Sequence, residues 1–289
     1  MSSPNYARNL ALLACAFAAT AGIAACGGGG TEATKVSMSV SEKGKQATFA
    51  APKSTKGGLV EISFRNNGKA PHGVQLIHYT GNHSASDVLT QLGKDTDKIP
   101  EWLEGQGGTP PVPGGQSDTA TVNIPAGNYV VIDSAALGPS TGPPANTPLK
   151  VTSGDTGDLP STDGTVTAAK TGKDRYAWEV SGLKSGKNEI TFNSKGEDAL
   201  HFIIAAPVKG KAPAVGQIKK DLAAQNGPPP PYFDFDNAQQ TAVLDGGLSQ
   251  TTSLELKKPG QYILFCPLTD RDGGKSHDQE GLLKVVTVQ

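Results

Sequence analysis

Cysteine and histidine are the residue types in this 289-residue chain that could do the most chemistry, and there are few of either. The cysteines are Cys15, Cys26 and Cys266, and there are five histidines. Cys15 lies in a predicted N-terminal signal that is removed, and Cys26 directly after it is expected to be consumed by lipid, so we expect Cys266 to be the one free thiol of the exported body. A lone thiol in an oxidising compartment has no disulfide partner, and it is therefore either buried and inert or held by a metal ion.

The first 25 residues have the composition of a secretory signal. Arg8 is their single charge, and residues 10–25 are apolar and carry no acidic side chain. The sequence Ile23-Ala24-Ala25-Cys26 resembles the lipobox of bacterial lipoproteins, which implies cleavage before Cys26 and acylation of its thiol. The alternative is ordinary signal cleavage, which would leave Cys26 as a free thiol.

Residues 26–34 contain a run of glycines and are expected to form a flexible tether. The apolar part of the leader is short for a membrane-spanning helix, so anchoring would come from lipid chains on Cys26. The expected location is the outer face of the bacterial cytoplasmic membrane or the periplasm.

The C-terminal residues contain an ordered pattern of potential metal ligands. A G-x-Y-x-x-x-C run is followed by a histidine and by a Gly-Leu pair that enters a Val-rich strand: Gly260, Tyr262, Cys266, His277, Gly281 and Leu282. This pattern resembles the C-terminal copper loop of cupredoxins, the blue-copper fold. A distant histidine near the start of an earlier strand completes the site in that family, and His201 stands at the matching place. The resemblance covers residues 165–289 well and residues 35–152 as a fold only.

The resemblance implies one copper ion with Cys266 as thiolate ligand and with His201 and His277 as imidazole ligands. One thiolate and two imidazoles with a weak or absent axial ligand suit copper in electron transfer. Two features depart from the family pattern. Ten residues, 267–276, separate the cysteine from the histidine, and the axial position is Leu282 instead of Met. An Asp-Gly-Gly turn at residues 272–274 could fold the extra residues away, and an apolar axial residue tends to raise the reduction potential.

Each proposed ligand also has an ordinary structural interpretation. Cys266 follows four apolar or aromatic residues and could be a small buried hydrophobic residue. His277 lies among charged and polar neighbours and could be a solvated loop residue. His201 could be a hydrogen-bonded residue at a strand edge. The three histidine and cysteine positions taken together, in family order, favour copper.

The two halves of the chain share landmarks in the same order, offset by roughly 130 residues. Each half contains four landmarks: a Glu-Ile-Ser-Phe or Glu-Ile-Thr-Phe run, a histidine, a Gly-Gly pair, and a segment in which Pro and Gly shortly precede Tyr. The repeat predicts two domains, residues 35–152 and 165–289. A linker is predicted at residues 153–164, where Ser, Gly, Asp, Thr and Pro cannot build a core.

The predicted fold is all-β, with two tandem Greek-key cupredoxin-like β-sandwiches that each carry a short helical insertion. The 36 glycines and 21 prolines suit short strands joined by many turns. Runs rich in branched and aromatic residues predict strands, among them residues 59–64, 74–79, 129–133, 262–265 and 283–288. Helices are predicted at residues 87–92 and 215–222, the second with Ile218 and Leu222 on one face.

The first copy is predicted to lack a complete copper site. Asp133 stands where Cys266 stands in the second copy, and residues 142–144, which align with His277, contain no imidazole. His72, His78 and His83 are interpreted as structural or surface residues. The first copy is therefore expected to be a scaffold or docking module.

Composition and motifs exclude several other functions. A net charge of −1 gives no electrostatic basis for binding nucleic acid. The histidines form no H-x-H pair, as a multicopper oxidase would need, and the common hydrolase, nucleotide and dinucleotide fingerprints are absent. Acidic pairs such as Asp270 and Asp272 are interpreted as solvated turns.

The sequence thus predicts an exported, lipid-anchored copper protein that transfers electrons to or from a redox partner protein and is not an enzyme. Two alternatives remain open. The chain could be a metal-free cupredoxin-like interaction module, or it could store or deliver copper with the same ligands.

Overall fold

The structure is a computed structural model that describes residues 31–44, 46–94, 98–136, 144–196, 199–224 and 230–289. The predicted signal (residues 1–25), the start of the predicted tether and Cys26 lie outside the described residues. In the described ranges, no helix combines the length and the apolar character needed to cross a membrane.

The described residues before 153 form strands, one α-helix and one 3-10 turn. In chain order they are β1 (Thr34–Lys43), β2 (Gln46–Ala50), β3 (Ser54–Lys56), β4 (Gly58–Asn66), β5 (Val74–Tyr79), α1 (Ala85–Leu92), β6 (Leu103–Gly105), β7 (Ser117–Ile124), β8 (Gly127–Asp133), a 3-10 turn (Ser134–Ala136) and β9 (Asn146–Thr152).

The described residues after 163 repeat much of this order. They form β10 (Gly164–Gly172), β11 (Arg175–Ser181), β12 (Gly186–Ser194), β13 (Ile204–Pro207), α2 (Val215–Ala223), a 3-10 turn (Phe235–Asn237), β14 (Gln239–Gln240), β15 (Ser249–Leu256), β16 (Gly260–Phe265), α3 (His277–Glu280) and β17 (Leu283–Val288).

An eight-stranded sheet runs through both halves of the described chain in the order β11-β10-β12-β15-β7-β4-β1-β2. The halves join where β15 pairs antiparallel with β7, with Thr251 opposite Thr121. A five-stranded sheet, β3-β9-β8-β5-β6, belongs to the first half, and a four-stranded sheet, β14-β13-β16-β17, belongs to the second. Each half is thus a sandwich in which part of the shared sheet faces a smaller sheet.

Alternation of apolar and polar residues explains why the strands pack in this way. Along β1, Val36, Met38 and Val40 are buried, while Ser37 is exposed and Ser39 is half-buried, as a strand with one core-facing side requires. Buried side chains of the first half form one core and those of the second half form another. The predicted all-β fold of two tandem β-sandwiches is therefore confirmed.

Both predicted helical insertions are present, and each lies on the outer face of a smaller sheet. Ser84 and Asp87 form a capping box at the start of α1, which buries Val88. Helix α2 buries Ile218 against Ile263 and Phe265, with Leu222 packed beside them. The five strands predicted from branched and aromatic runs correspond to β4, β5, β8, β16 and β17.

Residues 153–163 contain no helix or strand, and their first part contacts the first sandwich. The amide of Leu59 donates to the Asp155 carbonyl at 2.9 Å. The Asn123 side chain exchanges two hydrogen bonds with the backbone of Gly157. The exact domain limits at residues 152 and 165 stay a prediction.

Candidate metal centre

Three local elements bring the predicted ligands to one end of the second sandwich. Cys266 directly follows β16, and its amide donates to the Leu282 carbonyl at 3.2 Å at the entrance to β17. His277 is the first residue of α3, a single helical turn, and its amide donates to the Leu268 carbonyl at 2.7 Å. His201 exchanges two backbone hydrogen bonds of 2.9 Å with Leu244.

The structure brings His201, Cys266 and His277 together inside the protein. The Nδ1 atoms of the two histidines are 3.0 Å apart, and the Cys266 Sγ lies 3.7 Å from the His277 Nδ1. One ligand atom from each residue lies within 4.8 Å of those of the other two. All three residues are fully buried. Leu282, the predicted axial neighbour, is also fully buried in the core that contains Cys266.

The Nε2 atom of each imidazole, on the side of the ring away from the cluster, lies close to an oxygen that can accept a hydrogen bond. The His201 Nε2 lies 3.3 Å from the Lys195 carbonyl oxygen. The His277 Nε2 lies 3.0 Å from Oδ1 of Asp270. A carbonyl oxygen and a carboxylate oxygen accept hydrogen bonds, so these contacts favour the tautomer with the proton on Nε2 in both imidazoles. In that tautomer each Nδ1 presents an unprotonated lone pair to the centre of the cluster.

Burial keeps these groups uncharged. It lowers the pKa of His201 to about 3, with the neighbouring His277 adding to the effect. The pKa of His277 is also lowered by burial, against an opposing contribution from Asp270. Burial raises the pKa of the Cys266 thiol to about 12. Without a cation the cluster therefore holds two neutral imidazoles and a protonated thiol, and metal binding must displace the thiol proton.

Two side chains outside the predicted ligand set, Tyr176 and Asp270, support this cluster. The Tyr176 hydroxyl donates to Oδ1 of Asp270 at 2.8 Å. The Tyr176 ring packs against both histidines, with centroid distances of 5.0 Å to His201 and 4.9 Å to His277. The interpretation of Asp270 as part of a solvated turn was wrong, because its carboxylate contacts a buried histidine.

The loop of residues 267–276 folds back on itself as expected. Gly273 and Gly274 have φ angles of +85° and +114°, and the Gly273 amide donates to the Asp270 carbonyl at 2.9 Å. Glycine adopts these angles without the steric cost that a β-carbon brings. The turn leaves the Asp270 side chain 28% exposed, beside a polar pocket of about 590 Å³ that also includes Glu280.

The histidines of the first sandwich all have protein partners. His72 lies between two carboxylates, with Nδ1 2.5 Å from Asp133 and Nε2 2.9 Å from Glu42. The His78 Nδ1 lies 2.8 Å from Glu104, and the exposed His83 ring stacks on Trp102 at 4.0 Å. Within the described residues, the two groups able to hold a metal both include His277 and lie in the second sandwich.

Comparisons with known proteins gave matches to solved structures alone. No family model and no curated protein matches the chain. A multicopper oxidase covers 88% of this chain and 88% of its own, at 16% identity and a TM-score of 0.25. The match to a copper nitrite reductase from Nitrosomonas europaea covers 89% of this chain and 94% of the reductase chain, at 13% identity and a TM-score of 0.24.

Auracyanin A, a "blue" copper protein from the green thermophilic photosynthetic bacterium Chloroflexus aurantiacus, is similar to part of the chain. It covers 41% of this chain and 99% of its own, at 19% identity and a TM-score of 0.29. The solved structures found as similar thus include the blue copper proteins that the sequence pattern resembles. At these identities and TM-scores they carry no argument about function, which has to come from the chemistry of the site.

Proposed function

We propose that the protein binds one copper ion through the Nδ1 atoms of His201 and His277 and the Sγ of Cys266, and that it transfers electrons. The observation that carries the proposal is the pair of Nδ1 atoms 3.0 Å apart. When both Nε2 atoms donate to their outside acceptors, the two Nδ1 lone pairs face each other. That arrangement is unfavourable in a buried site unless a metal ion binds both lone pairs.

The donor set matches copper. A thiolate and two imidazoles suit a metal that cycles between a softer and a harder oxidation state. When bound, copper would supply a one-electron redox centre. The residues of the chain supply a fixed frame, since Cys266 and Leu282 are joined by a backbone hydrogen bond and the surrounding strands are hydrogen-bonded along their length. Little rearrangement is then needed when the charge of the ion changes.

Burial of the ligands favours electron transfer over storage or delivery. His201, Cys266 and His277 are each 0% exposed, so a chelator has no direct access to the ion. Delivery would require ligands that a recipient protein can reach. The metal-free module is disfavoured by the 3.7 Å separation of the Cys266 Sγ and the His277 Nδ1, because that alternative expects the thiol to lie away from the imidazole.

The proposal extends to location and partners. The lipobox-like sequence at Cys26 and the signal-like residues before it support an exported, lipid-anchored protein. The full burial of the ligand cluster supports a role as an electron carrier, with another protein as redox partner and no enzymatic activity of its own.

Titration of the purified mature protein, which contains both sandwiches, with Cu(II) tests the proposal. We expect an intense visible thiolate-to-copper charge-transfer band that saturates at one equivalent. Cys266→Ser and His277→Gln should remove the band, while His83→Gln, an exposed histidine in the first sandwich, should leave it unchanged. Absence of the band in the wild type, or its persistence in Cys266→Ser, would contradict copper binding at this site. Chelator challenge separates the alternatives, since storage or delivery predicts rapid release.

A further inference from the structure

The loop between the cysteine and the second histidine is attached to the first sandwich by Arg271. Its Nη1 donates to the Pro100 carbonyl at 2.8 Å and to the Leu103 carbonyl at 3.0 Å. Its Nη2 pairs with the Asp245 carboxylate. The Arg271 side chain is only 13% exposed, and its backbone carbonyl accepts from the Ile99 amide at 2.9 Å. A loop residue of the second sandwich thus has several hydrogen bonds with the first.

Residues 99–106 of the first sandwich also contact residues 244–245, which lie beside His201. The Asp245 amide donates to the Gly105 carbonyl at 2.7 Å, and Gln106 bridges to Leu244. Leu244 is the residue that exchanges backbone hydrogen bonds with His201. Residues 99–106 therefore contact both the loop that leads to His277 and the residue paired with His201.

Adjacent residues of the loop point in opposite directions. Asp270 contacts the His277 Nε2, and Arg271 contacts the first sandwich. A loop of ten residues has high conformational entropy unless contacts with the rest of the protein fix it. Because Arg271 follows Asp270 directly, fixing Arg271 also restricts the backbone of Asp270. The position of His277 then depends on a contact made by the other half of the chain.

We propose that Arg271 is a positioning residue for the metal centre and that the first sandwich acts as a clamp through residues 99–106. The inference rests on the proposed copper site. The first sandwich, which has no predicted metal site of its own, would then keep His277 close to His201 and Cys266. A planar guanidinium suits this task because it can reach three acceptors at fixed angles.

The experiment uses a double variant, because Arg271→Met alone would leave Asp245 buried without its cation. Arg271→Met with Asp245→Asn removes the side-chain hydrogen bonds of the clamp without leaving that unpaired charge. Arg65→Met, an exposed arginine of the first sandwich, is the matched control. Circular dichroism establishes that each variant is folded.

Two measurements separate the clamp from the proposed function. In the metal-free protein, hydrogen exchange at the Ile99 amide and in residues 267–276 should accelerate at least about tenfold in the double variant, and not in Arg65→Met. In the copper-loaded protein, the double variant should release copper about tenfold faster or more, with a shifted charge-transfer band and reduction potential. A wild type without the band contradicts the proposed function. A folded double variant with wild-type exchange, band, potential and release contradicts the clamp alone.

Discussion

Each sandwich has a histidine that forms a β-bridge and lies close to the residue at the C-terminal end of one strand. That strand is β8 in the first sandwich and β16 in the second. In the second sandwich these residues are His201 and Cys266, and in the first they are His72 and Asp133. The side chains around them differ in charge. His72 lies between two carboxylates, whereas the second sandwich places a second imidazole and a thiol at the corresponding position.

The comparison shows how neighbouring groups decide whether the pKa of a buried histidine is raised or lowered. Burial opposes protonation of His72, but hydrogen bonds and charges from Asp133 and Glu42 outweigh it and raise its pKa. His201 has no carboxylate in contact, and burial lowers its pKa. The first arrangement is satisfied within the protein. The second arrangement, with the proton of each imidazole on Nε2, leaves two inward lone pairs that a metal ion can use.

The largest expected effect comes from giving the second sandwich the residue of the first. Cys266→Asp should abolish the charge-transfer band completely at saturating Cu(II), because a carboxylate cannot supply the thiolate transition. Asp133→Cys added to this variant should not restore the band, since the sequence at residues 142–144 offers no second imidazole. A band in that double variant would show that the first sandwich can complete a site, and the comparison would fail.

In the first sandwich, loss of the histidine should cost stability instead of metal binding. His72→Ala leaves the Asp133 carboxylate buried without its cation, although Gly73 and Ala135 still donate to it. We expect the free energy of unfolding to fall by about 3 kcal/mol, measured by denaturant titration. His83→Ala should cost about 1 kcal/mol or less. An unchanged copper band in both variants is part of the prediction, and loss of the band in His72→Ala would contradict the separation of roles.

A smaller effect is expected at Asp270, the carboxylate beside the His277 Nε2. Asp270→Ala removes the acceptor that holds the proton on Nε2, so the imidazole is free to move its proton to Nδ1. Copper affinity should fall by about 10- to 100-fold, measured by competition with a chelator. In the metal-free protein, nitrogen NMR shifts of His277 should report the change of tautomer. Asp272→Ala, an exposed neighbour, should alter neither measurement.

The smallest effect concerns the pH dependence of the first sandwich. The folded pKa of His72 is above the ordinary 6.5, so its ion pairs contribute fully below that pH and are lost as the pH rises through the raised folded value. Wild-type stability should therefore decline over this interval relative to His72→Gln. Asp133 and Glu42 are the acidic groups that face His72. Parallel pH profiles for the two proteins would contradict the charged state of His72.

Much of the fold could be predicted because its signals are local. Strands such as β5 and β16 are runs of branched and aromatic residues, and the repeat is visible as shared landmarks in order. The ligand set was accessible for a related reason, since Cys266 and His277 lie on one hairpin and His201 occupies the same place in the repeat as His72. The one-turn helix α3 at His277 was not predicted, because four residues carry no periodic signal.

The residues that orient the ligands could not be predicted. Tyr176 meets Asp270 across 94 positions, and Arg271 meets Pro100 across 171. No spacing rule links such distant positions. The pairing of β7 with β15, which joins the two sandwiches in one sheet, is equally long-range.

The sequence by itself determined the β class, the repeat and the residue types that converge, because these follow from patterns within a strand or a hairpin. Only the tertiary structure decided which acceptors face the outer nitrogens of the two imidazoles. The Lys195 carbonyl and the Asp270 carboxylate come from elsewhere in the fold, and a hydrogen bond to each leaves Nδ1 directed at the centre of the cluster. The first sandwich holds the loop that carries one of those acceptors through contacts that exist only once both halves are folded together.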